Sequence, residues 1–362
     1  MAGLSRRQAL GAAAVVAGRT AWPTGAGAAD FAGRTIEFII PFAEGGGSDV
    51  WARFLAPFIA RHLPGRPNVI VRNVPGGGSI TGANEYAARA RPDGLSLFGP
   101  SASTHLPFLL GDARVRYDYA RWTPVLVSPT GGVAYVSART GIRDGTEIAR
   151  LRDRELVFAS QGATGFDVVP ILAFHLLGLK VRYVFGMRGR GEARLAVERG
   201  EASIDHQTTP AYRASVMPMV NAGTAVPLFS YGVLGPNGAS MRDPTFPDLP
   251  HFGEVYRAVH GRDPNGPGFA AYTACATAAF AGQKPAVLPR DTPPDIIAAW
   301  HRTMAAVVAD PELKARGGEV LGDYEQAVGA DAERLYRVAT TISPEARAWV
   351  REYLAANFNT RF

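Results

Sequence analysis

One unit recurs along this chain: a short β-rich run, a glycine-rich loop, then apolar residues at helical spacing. Ile36–Ile40 is the first such run. It ends at Pro41-Phe42-Ala43-Glu44-Gly45-Gly46-Gly47-Ser48-Asp49, after which Val50, Phe54 and Phe58 form one helical row and Trp51, Leu55 and Ile59 the next. Pro57 falls inside this helix, where its missing backbone donor is expected to kink or shorten it. Val69-Ile70-Val71 starts a second unit, with Asn73-Val74-Pro75-Gly76-Gly77-Gly78-Ser79 as its loop and a helix over 80–90. Pro92-Asp93-Gly94 turns the chain into a third strand over 95–98, which ends at Gly99-Pro100-Ser101-Ala102-Ser103-Thr104. Strands alternating with helices predict an α/β fold of mainly parallel sheets flanked by helices, with ligand contacts at the carboxyl ends of the strands.

The second half repeats the plan. Val125–Val127 and Val133–Val136 are expected to carry the chain into a second lobe, where Leu156–Ala159 leads into Ser160-Gln161-Gly162-Ala163-Thr164-Gly165. Val168, Leu172 and Leu176 stack behind that loop at i, i+4 spacing. A helix over 192–199 closes at Gly200, a strand follows over 202–206, and Val226–Ser230 returns toward the first lobe. The Pro- and Gly-rich stretch 262–268 reads as an exposed loop, and the tail reads as helical. Asp310-Pro311 and Ser343-Pro344 each place a capping residue before a proline at the first helical position.

The N-terminus reads as an export signal. Ser5-Arg6-Arg7 forms a charged head, Ala- and Gly-rich residues form a short apolar middle, and Ala26-Gly27-Ala28 resembles a cleavage region. The paired arginines point to the twin-arginine route, with removal of residues 1–29. Three positive charges of the formal +6 lie in that segment, which carries no acid, so the rest of the chain has a net charge of +3. Its Arg residues are scattered, which argues against nucleic acid.

At 362 residues and 47% hydrophobic, the chain has ample apolar surface for two lobes. Cys275 is the single cysteine, which excludes an internal disulfide and any multi-cysteine metal site; Ala274 and Ala276 beside it point to packing. The seven His residues show no metal-ligand spacing, and neither G-x-S-x-G nor H-E-x-x-H occurs. No catalytic residue, metal or cofactor is expected. His175 on an apolar helix reads as structural, whereas His206 at a strand end is open to either a structural or a ligand-facing role.

A helix N-terminus offers unpaired N–H groups and partial positive charge, so each glycine loop is a candidate cradle for a carboxylate or phosphate. The phosphate-specific patterns G-x-x-x-x-G-K-S/T and G-x-G-x-x-G are not completed at the Gly45 or Gly76 loops. Ser48, Ser79, Ser101, Ser103, Ser160 and Thr164 add hydroxyls without fixed charge.

These residues resemble the substrate-binding proteins of tripartite tricarboxylate transporters. The pattern P-F-x-x-G-G-x-x-D-x-x-A-R runs from Pro41 to Arg53, and Asn73–Gly78, Pro92-Asp93-Gly94, Ser160–Gly165, Phe246–Pro250 and Asp310-Pro311-Glu312 extend it over most of the chain. The resemblance implies a two-lobed periplasmic binding protein of type II plan that closes on a small carboxylate. Residues 30–128 and 236–362 would form the first lobe and 129–235 the second. It implies a monomer that hands its ligand to membrane transporter subunits.

Carried over residue by residue, the resemblance implies a site made of Phe42, Glu44, Gly46, Ser48 and Asp49 from the first loop, Gly77 from the second, and Ser101 and Ser103 from the third strand end. The second lobe would add Ser160, Gly162, Thr164, His206, Gln207 and Thr208. Asp49 also suits helix capping. Glu44 would repel an anion unless it faces solvent or an amine, and Arg53 reads as the partner of an acid.

Gly186-Met187-Arg188-Gly189 and Gln207 depart from the family's usual Tyr-Lys-Gly and Asp, and 256–290 is longer than usual. An exported oxidoreductase with a flavin or nicotinamide cofactor, or a ligand-presenting partner of a sensor kinase, are the alternative functions.

Overall fold

The computed structural model describes residues 29–234 and 240–362; the arginine pair and the rest of the export signal lie outside them. Ten strands build two five-stranded sheets. The first sheet holds β1 (Thr35–Ile40), β2 (Asn68–Asn73), β3 (Ser96–Phe98) and β4 (Trp122–Ser128). The second holds β5 (Gly132–Ser137), β6 (Glu155–Ser160), β7 (Lys180–Phe185), β8 (Ile204–Thr208) and β9 (Ala225–Ser230). A two-strand ribbon of β10 (Val233–Leu234) and β11 (Ser240–Met241) follows, and β12 (Lys284–Pro289) returns to the first sheet.

The orders are β2-β1-β3-β12-β4 and β7-β6-β8-β5-β9. In each sheet the fourth strand runs antiparallel to both neighbours while β1, β2 and β3, or β6, β7 and β8, pair in parallel. The sheets are therefore mixed, with one reversed strand apiece. Each reversed strand enters from the other lobe: β5 follows the crossing after β4, and β12 follows the crossing back.

Helices α1 (Gly47–His62), α2 (Ile80–Arg89) and α3 (Ala102–Leu110) follow the first three strands, and α4 (Val168–Leu176) and α5 (Arg190–Arg199) follow β6 and β7. After β8, α6 (Thr209–Ala211) continues through one π-helical turn into α7 (Met217–Asn221). The C-terminal half adds α8 (Phe252–His260), α9 (Pro267–Ala281), α10 (Pro294–Ala309), α11 (Pro311–Val320), α12 (Gly329–Ala339) and α13 (Pro344–Phe358). The proline-led starts behave as the sequence predicts. Asp310 accepts from the Glu312 and Leu313 N–H groups, and Ser343 from that of Ala346.

Pro57 does not break α1, contrary to expectation. It sits on the exposed side, so the carbonyl it leaves unpaired can meet water, while Trp51, Leu55, Phe58 and Ile59 hold the opposite side in the core. The stretch 262–268 is a loop only as far as Gly266, because Pro267 begins α9.

Each face of the first sheet has its own core. Phe38, Trp51, Trp300 and Met304 fill one side, and Tyr86, Phe98, Trp122 and Tyr336 the other. In the second lobe, Phe158, Leu172 and Phe174 belong to a cluster that continues through α8, α9 and α13 and reaches Ala102 and Leu106 of α3. This one cluster thus joins α8, α9 and α13 of the stretch 236–362 both to α3 of the first lobe and to α4 of the second. Cys275 sits in this cluster, and burial pushes its thiol up to about 12. Among the described residues, no helix is long and apolar enough to cross a membrane.

Candidate functional site

The first lobe presents backbone. The loop after β1 enters α1 at Gly46, an N-cap in extended conformation that makes no side-chain cap. Asp49 in the first turn reaches back: its Oδ2 accepts from Gly45 N–H at 3.0 Å, and its Oδ1 accepts from Arg53 and Asn73, each at 3.0 Å. Asp49 is the loop's internal brace, and Arg53 is its partner. Glu44 is 78% exposed and lies 3.6 Å from Arg53 at the rim. Phe42 is buried in the core, and its carbonyl accepts from Asn73. Ser48 is buried on the inner side of the same first turn. The N–H groups of that turn, polarised by the helix, remain the loop's strongest anion donors.

The second loop is strained. Gly76, Gly77 and Gly78 all have positive φ, and so does Ser79 at 97°, a conformation that disfavours a side chain. Burial and two hydrogen bonds hold Ser79 there: its hydroxyl donates to the Ser103 carbonyl and accepts from Thr104, both at 3.0 Å. Gly77 is exposed, so the loop meets the other lobe through Gly78, which faces the Gln161 carbonyl. Ser101 caps α3 in a capping box with Thr104.

The second lobe presents a buried charge network instead. Asp167 accepts from Ser160 Oγ and Gln161 N–H at 2.7 Å each, from Arg190 at 3.2 Å, and contacts His206 Nε2 at 3.1 Å. Arg190 also pairs with Asp205, donates to the carbonyls of Ala159 and His206, and lies over the Phe158 ring. Asp205 in turn accepts from Tyr135 and Gln207.

Burial alone would raise the Asp167 carboxyl, but the Arg190 charge and the hydrogen bonds from His206 and Ser160 outweigh it and hold it down to about 2. Burial, reinforced by Arg190, lowers His206 to about 4, so its imidazole is neutral at pH 7. Ser160, His206 and Gln207 thus have structural work of their own, and Gly162 N–H is spent on Ser160 Oγ.

The loops of the two lobes meet. A Cβ on Gly47 would collide with Thr208 Oγ1, one on Gly165 would touch Ser103, and one on Gly191 would touch the Gly45 carbonyl. Thr164 bridges the lobes by donating to Asp112 at 2.7 Å, and Asp112 is itself paired with Arg114. Of the sequence-predicted residues, Gly46, Ser48, Ser103, Thr164 and Thr208 gather at this junction, whereas Glu44 and Gly77 lie at the surface. Asp112, Asp167, Arg190 and Asp205 were not singled out from the sequence. Asp167 carried a legible signal as an acid directly before an apolar helix; Arg190 carried none, because its acids lie 15 to 23 residues away along the chain.

A groove of about 750 Å³, lined by Arg139, Glu198, Met219 and Thr224 among others, lies at the opposite end of the second sheet, where Ser137 ends β5. It is remote from the paired loops.

No protein-family model and no curated protein matches the chain. Solved structures do. The periplasmic binding protein BugD superposes with a TM-score of 0.68 at 19% identity, over 90% of this chain and 97% of that one. The R. palustris protein Rpa4515 with adipate gives 0.68 at 20% identity, over 90% and 98%. MatC from Rhodopseudomonas palustris with bound malate gives 0.64 at 20% identity, over 88% and 98%. The chain therefore has the fold of the Bug/TctC periplasmic binding proteins.

Proposed function

We propose that the protein is a periplasmic receptor that captures a small carboxylate between its lobes and delivers it to membrane subunits of a tripartite tricarboxylate-type transporter, after twin-arginine export and removal of residues 1–29. The observation that carries this reading is the junction itself. The uncapped first turn of α1, with Ser48 buried in it, lies against Thr208 of the other lobe, and Ser103 lies against Gly165. Polarised N–H groups and neutral hydroxyls suit a carboxylate, which needs donors more than it needs a matching shape. The adipate and malate of the two R. palustris structures support the same ligand class. The side chains at the junction serve binding; the acids nearby are committed to Arg53, Arg114 and Arg190.

The test is the thermal stability of the mature protein against a panel of mono-, di- and tricarboxylates, aromatic acids and amino acids. A ligand at 100 times its Kd stabilises the folded state by about 2.7 kcal/mol, an easily read shift. If no acid shifts the transition while a flavin or nicotinamide does, the receptor reading fails.

A further inference from the structure

Lys284 is the first residue of β12, the reversed strand of the first sheet. Because β12 runs against its neighbours, its amino end lies level with the carboxyl ends of β3 and β4, where the candidate site's loops begin. Lys284 pairs in register with Ser128, the last residue of β4. Strand alternation puts it on the same face as Ala286 and Leu288, which pack in the cluster of Trp51 and Phe38 under α1. The Trp51 indole N–H donates to Ser128 Oγ at 2.9 Å, so Lys284 starts its strand beside the first turns of the helix whose N-terminus is uncapped.

The side chain is 1% exposed, and its Nζ has no hydrogen-bond partner and no ion pair among the described residues. A lone buried ammonium is costly, and burial lowers Lys284 to about 7. Other buried acids around the cleft have a cation: Asp49 with Arg53, Asp112 with Arg114, and Asp167 and Asp205 with Arg190. Asp243, against Gly131 on the crossing after β4, is the exception; it is held by the Tyr324 hydroxyl and the Thr245 N–H, with burial raising its carboxyl. Polar atoms next to Lys284 in the chain are likewise unspent, namely Gln283 Oε1 and, on the crossing after β4, Thr130 Oγ1. An unmatched cation at the ligand end of a sheet, beneath a helix N-terminus, has the chemistry of half an ion pair whose other half arrives from outside.

We infer that Lys284 is the counter-charge for a carboxylate of the bound ligand, meeting it from the floor of the first lobe while the first-turn N–H groups of α1 donate to it. This rests on the proposed receptor function and adds the charge that selects an anion over its neutral amide. The second lobe has no counterpart, because the position equivalent to Lys284 on β5 is Val133, which pairs with Ser230 as Lys284 pairs with Ser128.

The experiment is calorimetric titration of the mature wild-type protein and of Lys284→Met with malate, succinate and adipate, and with succinamide as the neutral probe. Unfolding of each variant is followed in parallel. We expect Lys284→Met to bind the acid that wild type prefers at least about tenfold more weakly, with no loss of folding stability, since Met removes an unpaired buried charge and keeps the volume. Equal affinity of the folded Met variant and wild type would overturn the role of Lys284 and leave the receptor function standing. Failure of wild type to bind any of the acids, together with the wider panel above, would overturn both. If Lys284→Met does not fold, Lys284→Gln carries the same comparison, and unchanged affinity there overturns the inference equally.

Discussion

The two lobes share a strand order and a reversed fourth strand, yet they furnish the ligand end of their sheets in opposite ways. The first lobe leaves its groups unspent: an uncapped helix N-terminus, buried hydroxyls and a lone lysine. The second ties its charged groups into one network, while Gln161 Nε2, His206 Nδ1, Gln207 Oε1 and Ser230 Oγ stay without partners among the described residues. Ser160, Gln161, Gly162, Arg190 and His206 are tied to one another through Asp167, and Asp205 closes the set. On the proposed receptor reading, the first lobe would supply the free donors and the charge network of the second would brace the facing wall. Free donors on both sides would leave many polar groups buried without partners whenever the cleft closed empty.

Removing Arg190 should break the wall most severely. Arg190→Met leaves Asp167 and Asp205 buried without their cation and is expected to cost about 3–5 kcal/mol in chemical denaturation. A loss below about 1 kcal/mol would show that the network is not holding two ionised acids.

Acid should come next. His206 and His105 are buried and lowered to about 4 and about 3, in both cases chiefly by desolvation. Their folded pKa values lie below the unfolded value of 6.5, so the unfolded chain binds more protons as pH falls from 6.5 toward 4. Stability is therefore expected to fall over that window, on the order of 2–3 kcal/mol per histidine. Asp167, whose folded pKa is about 2 against 3.8, adds stability that is present above pH 3.8 and is lost only below it, between 3.8 and 2. Flat stability from pH 7 to 4 would contradict the neutral, desolvated state of both imidazoles.

Gly47→Ala sharpens the contrast from the other side. A methyl there meets Thr208 across the junction, so closure should become harder by about 1–2 kcal/mol. Carboxylate affinity should then fall roughly tenfold, with less compaction seen by scattering on ligand addition. An unchanged affinity would mean that the lobes bind ligand without meeting at Gly47. The smallest effect is expected at Glu44, whose side chain is exposed and pairs only loosely with Arg53: Glu44→Gln should change stability by less than about 0.5 kcal/mol and leave acid affinity intact. A large gain in acid affinity would instead place this carboxylate against the ligand.

Much of the fold was legible from local pattern. The runs at Ile36–Ile40 and Leu156–Ala159, the glycine loops behind them and the capped prolines at 311 and 344 all reappear in the structure, because each depends on neighbours within a turn or a strand. Pro57 misled, since whether a missing donor breaks a helix depends on which side meets solvent. The candidate site was legible as backbone and opaque as side chains. Asp49 and Arg53 are one helical turn apart, so their pairing was visible in the sequence, and the structure contains it.

By itself, the sequence determined the repeated α/β unit and the anion-friendly loops, since periodicity and glycine placement act locally. Only the tertiary structure decided how the buried charges pair, and that β12 carries Lys284 level with the carboxyl end of β4. Buried charges are matched or left alone by partners distant in the chain. Arg190 on α5 finds Asp167 ahead of α4 and Asp205 on β8, while Lys284, 156 positions from its register partner Ser128, finds no acid among the described residues.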